Sequence, residues 1–262
     1  VANERPLPFA VFGCPHSPFE DAQSVDWMLG QLADLSPRPR LIVCAGDLFE
    51  SAAASVWPDE HEHNLQDEYE AGARLLGRVR EVVPYRCEYV WMLGNHDDNL
   101  QIPDGRRMSK RRMAKEIRQL LHWNVHHEFR KEFLKWRQYP YVKSPNGCLE
   151  IGQVVVTHGF DCSVNSDELE ALQFQYMLGG IPWRLVVRAH THRPVDVRQC
   201  LRTKQVPLAC HYANVGSLGP RQPQYMRRKS SILWGPGLLV GEATVGYDPL
   251  GGKQWSAELR TP

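Results

Sequence analysis

Five short, largely apolar runs in this chain stop at a glycine or another small residue, and each leads at once into side chains of metal-ligand type. FAVFG (9–13) leads into Cys14 and His16, LIVCAG (41–46) into Asp47, and YVWMLG (89–94) into Asn95, His96, Asp97 and Asp98. Further on, VVVT (154–157) leads into His158, and RLVVRA (184–189) into His190 and His192. Runs this short with small-residue boundaries read as buried strands. Loops at the carboxyl ends of parallel strands converge in space while lying far apart in sequence. A lone histidine is ordinarily a surface or core residue, and a Gly-Asp or Gly-Asn pair is ordinarily a turn. Five such events on successive strand ends are not independent, and together they predict one metal site.

Between the first two strands, Trp27, Met28, Leu32 and Leu35 recur at helical spacing, and Pro37 ends the pattern. The resulting strand–helix–strand unit is expected to be parallel and right-handed. A second helix is read over 62–82, with Leu65, Tyr69, Ala73, Leu76 and Val79 on one face. The charged stretch from Ser109 to Trp136 reads as two helices broken near Asn124. It is an expected helical insertion, at about 105–140, over the sheet edge or the mouth of the site. From Cys148 onward the period is that of strands, through LEIGQVVVTHG, RLVVRAH, PLACHYANVGSLG, SILWG and LLVGEATVG. The expectation is an α/β fold with a second sheet packed on the first, formed as a single domain over 1–262.

Composition narrows the function classes. Lys plus Arg number 31 against 30 Asp plus Glu, a net charge of +1, so a broadly basic nucleic-acid coat is excluded while a local patch is not. Seven cysteines occur singly and form no CxxC pair, which excludes a zinc ribbon or a thioredoxin-like site. They read mostly as small apolar fillers in a reducing compartment. No apolar run approaches the ~20 residues of a membrane-spanning helix. Val1 to Pro8 lacks the apolar segment of a secretion signal, so the expected location is cytoplasmic.

Asp, Asn and several His are donors suited to Mn²⁺, Zn²⁺ or Fe rather than Ca²⁺. They outnumber what one tetrahedral ion needs. Two ions about 3.5–4 Å apart, sharing one carboxylate, would use the whole set. Such a pair activates a water and neutralises phosphoryl oxygens on either side of an in-line attack.

In order, these motifs resemble those of the calcineurin-like metallophosphoesterase family: DxH, GDxx, GNHD or GNHE, HG and GHxH. The matches are CPH at 14–16, GDLF at 46–49, GNHD at 94–97, HG at 158–159 and AHTH at 189–192, and NVGSLGPR at 214–221 is similar to the family's NPGS element. The resemblance runs from residue 9 to about 221. It implies a four-layer α/β/β/α sandwich of two mixed sheets flanked by helices. It also implies a phosphatase or phosphodiesterase using a hydroxide held between two divalent or mixed-valence ions of Mn, Zn or Fe. Carried over by position, it puts His16 and His192 on the first ion, with whatever stands at position 14. Asp47 would bridge, and Asn95, His158 and His190 would hold the second ion. His96 would donate to the phosphate or protonate the leaving group, and Asp97 would orient its ring.

Two positions depart from the family pattern. Cys14 stands where Asp is usual, and Ala189 where Gly is usual. Ala189 adds a methyl, which a negative φ tolerates. A Cys14 thiolate would offer one soft donor atom, favour Zn²⁺ or Fe over Mn²⁺, require a lowered pKa and be open to oxidation.

The expected partner is a phosphoester, with a nucleotide or small molecule favoured, nucleic acid as the alternative, and no membrane. Arg106, Arg107, Lys110, Arg111, Arg112 and Lys115 put six basic residues in ten positions after the GNHDDN loop. They bind phosphates if they face the site and otherwise form a solvated helix face. Trp123 and Trp136 are candidates for base stacking, although core packing is the commoner use. Arg193 either reaches a phosphate or holds the AHTH loop. His122, His126 and His127 are weaker candidates, as are Glu60, His61, His63 and Asn64. The rival functions are a nuclease, suggested by the basic stretch, and a non-catalytic metal- or phosphate-binding protein, suggested by Cys14.

Overall fold

Period-two alternation along the central strands sorts their side chains into separate apolar layers, and those layers set the architecture. A computed structural model of the chain describes residues 6–51, 65–84, 86–98, 130–133, 135–201, 209–220, 233–245 and 252–262. The first half contains β1 (Leu7–Phe12), α1 (Ala22–Asp34), β2 (Leu41–Cys44), α2 (Leu65–Val82), β3 (Glu88–Met92), α3 (Asn95–Asp98), α4 (Arg130–Phe133) and β4 (Arg137–Tyr139). The second half contains β5 (Leu149–Ile151), β6 (Val154–Val156), α5 (Ser166–Met177), β7 (Arg184–Arg188), β8 (Pro194–Gln199), β9 (Cys210–Val215), β10 (Leu238–Ala243) and β11 (Trp255–Arg260).

Two mixed sheets result. The first has the order β11-β10-β1-β2-β3-β4, and the second β5-β6-β7-β9-β8. β1 to β4 run parallel, as do β6, β7 and β9, while the outer strands β10, β11, β5 and β8 pair antiparallel. Phe9, Val11, Val43 and Val90 of the first sheet meet Val154, Val156, Leu185, Val187, Ala213 and Val215 of the second. The alternate residues Ala10, Phe12, Ile42, Cys44 and Trp91 pack with Met28 and Leu32 of α1 and Leu76 and Val79 of α2. Val155, Val186 and Cys210 pack with Ala171 and Phe174 of α5. The architecture is thus helix, sheet, sheet, helix, as expected. α1 starts where Asp21 accepts a hydrogen bond from the Ser24 amide at 3.1 Å.

Helix α5 escapes sequence periodicity for a physical reason. Its buried side includes Asp167, Glu170 and Gln175 beside Ala171 and Phe174. Arg188 Nη1 lies 2.9 Å from Glu170 Oε2, Arg184 Nε donates to Gln175 Oε1 at 3.1 Å, and Asn214 Nδ2 donates to Asp167 Oδ1 at 2.8 Å. Polar residues turned inward toward partners on the sheet erase the apolar stripe that marks most surface helices.

Other expectations need correction. Trp136 does not continue a helix, because the chain turns there into β4, which pairs with β3. Its ring is buried 5.1 Å from that of Tyr89, so it is a core residue and not a stacking platform. LEIGQVVVTHG has the strand character expected, as a hairpin of β5 and β6. Most of the expected insertion, including Arg106, Arg107, the rest of the basic stretch, Trp123 and His122, His126 and His127, lies outside the described residues. Glu60, His61, His63 and Asn64 lie outside them too. Among the described residues, no helix is long and apolar enough to cross a membrane.

The two sheets approach closely at the end carrying the candidate ligand residues. A Cβ added at Gly13 would sit 2.7 Å from Ala189 Cβ and 3.2 Å from Val215 Cγ2. Ala189 does not have a positive φ, so its backbone accepts a side chain, and the glycine opposite makes room for the methyl. Gly13→Ala is therefore expected to cost about 1–3 kcal/mol through overpacking. Ala189→Gly on that background should recover most of the loss, since the two positions are in contact. Urea denaturation of the single and double variants checks this, and equal losses in both would contradict it.

Candidate metal centre

Backbone hydrogen bonds zip the loop after β1 to the loop after β2. The amide of Cys14 donates to Gly46 O at 2.9 Å, that of His16 to Asp47 O at 3.0 Å, and that of Ser17 to Leu48 O at 2.9 Å. The loops are also bent in an uncommon way. Cys14, His16, Asp47, His190 and His192 have φ of 49, 54, 48, 65 and 60°. Left-handed backbone at non-glycine residues costs roughly 1 kcal/mol or more apiece and persists where surrounding contacts enforce it. Gly94 supplies the clearance: a Cβ there would lie 2.1 Å from Asp47 Oδ1.

The result is two groups of ligand atoms with Asp47 in common. Cys14, His16, Asp47 and His192 form one, all buried, and Asp47, His158 and His190 form the other. Within each group the ligand atoms lie within 4.8 Å of one another. Asn95 joins the second, its Oδ1 3.1 Å from His158 Nε2. Each expected ligand residue therefore reaches one of the two groups.

Ring nitrogens face one another and the Asp47 and Asn95 oxygens across the two groups. His158 Nδ1 donates to Ala45 O at 2.7 Å, so in the neutral ring Nε2 is a bare lone pair. That lone pair faces Asp47 Oδ2 at 3.2 Å, Asn95 Oδ1 at 3.1 Å and His190 Nδ1 at 3.1 Å. On the other side His16 Nδ1 donates to Glu50 Oε2 at 2.6 Å, which turns its Nε2 toward His192 Nε2 at 3.0 Å and Asp47 Oδ2 at 3.8 Å. Ring nitrogens and carboxyl and amide oxygens gathered this closely are the donor atoms a cation takes. The donor set fits a metal centre.

Electrostatics points the same way. Burial, reinforced by His158, pushes the His190 pKa down to about 3, and burial with His16 drives that of His192 well below its usual value. Both rings are neutral at pH 7, the form that ligates. Burial works against the Asp47 charge, but His158, His96 and His16 outweigh it and hold the carboxyl well below its ordinary range. Cys14 is fully buried, and that burial, followed by the charge of Asp47, raises its thiol well above the ordinary value. Its Sγ accepts from the His190 amide at 3.3 Å. Without a cation beside it, this sulfur stays a thiol.

His96 lies next to the first group, its ring 4.9 Å from that of His16. Its amide donates to Asp47 Oδ1 at 2.9 Å, and its Nδ1 donates to Glu50 O at 2.6 Å. The expectation that Asp97 orients this ring needs correction. Asp97 is buried and accepts from the amides of Leu48, Phe49 and Gly94 and from Trp91 Nε1, at 2.9–3.3 Å. It clamps the GDLF loop to the GNHD loop, and Glu50 holds the ring. Burial, then the charge of Asp47, raises the Asp97 carboxyl to about 6. Arg193 donates to Ser163 O at 3.0 Å, so it holds the loop after His158.

Two further residues stand near the site, Glu50 and Cys162. Glu50 ties His16 and His96 together, and its place three residues after Asp47 on the same loop is the clue that was there to use. Cys162 Sγ lies 2.9 Å from His190 Nε2. Nothing in its sequence surroundings distinguishes it from the other single cysteines.

Residues 7–194 match the family model for calcineurin-like phosphoesterases. The fold is similar to a metallophosphoesterase crystal structure from Sphaerobacter thermophilus, at 13% identity and a TM-score of 0.44, over 98% of this chain and 88% of that one. It is also similar to that of a hypothetical protein from Pyrococcus horikoshii OT3, at 9% identity and a TM-score of 0.49, over 97% of this chain and 87% of that one. No curated protein matches the chain by sequence. With a family match over well more than half its length, the chain belongs to the calcineurin-like phosphoesterases, a family of metal-dependent phosphoester hydrolases.

Proposed function

We propose that the chain is a two-metal phosphoesterase, acting on a phosphate monoester or diester of a nucleotide or small molecule. The observation that carries this reading is the pair of ligand groups meeting at Asp47. In it, Cys14, His16 and His192 would hold one ion, Asn95, His158 and His190 would hold the other, and Asp47 would serve both. Ions bound there supply charge for the phosphoryl oxygens and make a water acidic enough to attack. The other steps belong to the chain. Glu50 fixes His16 through Nδ1 and holds His96 through its carbonyl, which leaves His96 Nε2 to donate a proton to a phosphoryl oxygen or the departing alcohol. Arg193 steadies the loop beyond His158. Hydrolysis of aryl phosphate or aryl phosphodiester by protein loaded with Mn²⁺, Zn²⁺ or Fe tests the reading; loaded protein that hydrolyses neither would sink it.

Burial opposes a charge on His96, but the carboxylates of Asp47 and Glu50 prevail and raise its pKa to about 9. The ring therefore carries its proton at neutral pH, as a general acid must. Cations bound to Asp47 cancel part of that pull, so kcat should fall as pH rises through a value below about 9. His96→Ala is expected to lower kcat by about 10²–10⁴-fold, to abolish that alkaline limb and to keep its metal. A pH–rate profile with metal analysis checks all three, and an unchanged limb in the variant would remove His96 from this role.

Cys14 sets metal preference in this reading. A buried thiolate forms there only with a cation beside it, and as a soft donor it selects Zn²⁺ or Fe. Cys14→Asp should shift bound metal toward Mn²⁺ and raise Mn²⁺-supported turnover. Elemental analysis after equal exposure to the three metals decides, and an unaltered preference would show that position 14 does not set it.

A further inference from the structure

Trp234 has no part in the chemistry above, yet it stands against a ligand residue. Its ring centroid is 4.3 Å from that of His192, with the planes at 74°. The chain that follows it is held by hydrogen bonds. Gly235 N donates to His192 O at 3.1 Å, Ser217 N donates to Gly235 O at 2.9 Å, and Gly216 pairs with Pro236. Ser217 in turn donates through Oγ to Cys14 O at 2.8 Å. The indole is thereby tied to the Cys14–His16–His192 side of the centre, partly exposed and next to Leu233, which is 68% exposed.

Two uses of such a side chain are separable. His192 Nδ1 is buried without a hydrogen-bond partner among the described residues, so the neighbour of that ring acts as an apolar cover. Any bulky apolar side chain would cover it. A tryptophan adds a π system at a partly exposed position beside His192. Base–aromatic stacking is worth roughly 1–3 kcal/mol, about 5- to 150-fold in binding. On the opposite side, Tyr141 also flanks a ligand, 5.7 Å from the His158 ring, but it is already stacked on Phe160 at 4.7 Å.

We propose that Trp234 is the platform on which a flat aromatic group of the substrate stacks, so that the site prefers phosphoesters of nucleosides or aryl alcohols to those of alkyl alcohols. This rests on the phosphoester reading above. The bond broken is the same in every ester, and Trp234 acts on affinity and orientation of the alcohol portion alone.

The test compares metal-loaded wild type with Trp234→Leu, which keeps an apolar cover on His192 but removes the π face, and with Trp234→Phe, which restores a smaller one. Substrates are adenosine 5′-monophosphate, phenyl phosphate and ethyl phosphate, each also as its methyl diester. The expected result is a drop of at least about fivefold in the aromatic-to-ethyl ratio of kcat/KM for Trp234→Leu, largely recovered in Trp234→Phe. Preference for the adenosine ester assigns a nucleoside, and preference for the phenyl ester assigns an aryl alcohol; either supports the platform. An equal ratio in wild type and Trp234→Leu overturns it and leaves the indole as a cover. If no ester is turned over, the hydrolytic reading fails by itself. Calorimetric binding of adenosine 5′-monophosphate against ethyl phosphate to the same proteins then decides: a ratio at least fivefold lower in Trp234→Leu upholds the platform, and an unaltered ratio overturns it.

Discussion

A buried carboxylate that must stay ionised governs this structure. Asp47 is 1% exposed, and desolvating a charge to that degree is tolerated only with close compensation. The compensation comes from both sides: His158 and His16 approach Oδ2, and the His96 amide binds Oδ1. The left-handed bends at five candidate ligand positions and the missing Cβ at Gly94 accompany the gathering of so many groups around one oxygen pair. Strain of this kind is held by the rest of the fold rather than relieved locally.

What holds it is a second set of contacts, one step away from the centre. Asn214 Nδ2 donates to Ala189 O at 2.8 Å and to Thr191 Oγ1 at 2.9 Å, while its Oδ1 accepts from Gly216 N at 2.9 Å. One amide thus braces the turn that presents His190 and His192 and begins the turn that follows. Arg188, at the end of β7, donates to Asp161 O at 2.6 Å and pairs with Glu170, which accepts from the Phe160 amide. The loop after His158 is in this way anchored to α5. Asp97 performs the same service between the GDLF and GNHD loops. The polar side of α5 and the interior of the centre are parts of one network, and buried networks of this sort are stable only when their members are paired.

Much of the fold and most of the candidate ligand groups could be read from the chain, because the central strands are buried on both faces and each ends at a small residue. β1, β2, β3, β6 and β7 satisfy that description, and their loops carry the ligand side chains. The pattern fails where burial is polar or an element is short. α5 hides its inward Asp167 and Glu170 behind partners in another part of the sequence, and β4, with only Arg137, Gln138 and Tyr139, offers no apolar run. Asp97 misled for a related reason. The family resemblance implied that Asp97 orients the His96 ring, but a one-turn helix, α3, sends the two side chains to different neighbours. Cys162 and Trp234 depend on long-range approach, which no local spacing announces.

The central claim is that Asp47 joins two ion sites, one of them completed by sulfur. Anomalous diffraction at the Mn, Fe and Zn edges from crystals of metal-loaded protein tests it most directly. Two peaks flanking Asp47 are expected, one within bonding distance of Cys14 Sγ, His16 and His192, the other of Asn95, His158 and His190. A single peak, or peaks away from Asp47, would contradict the account.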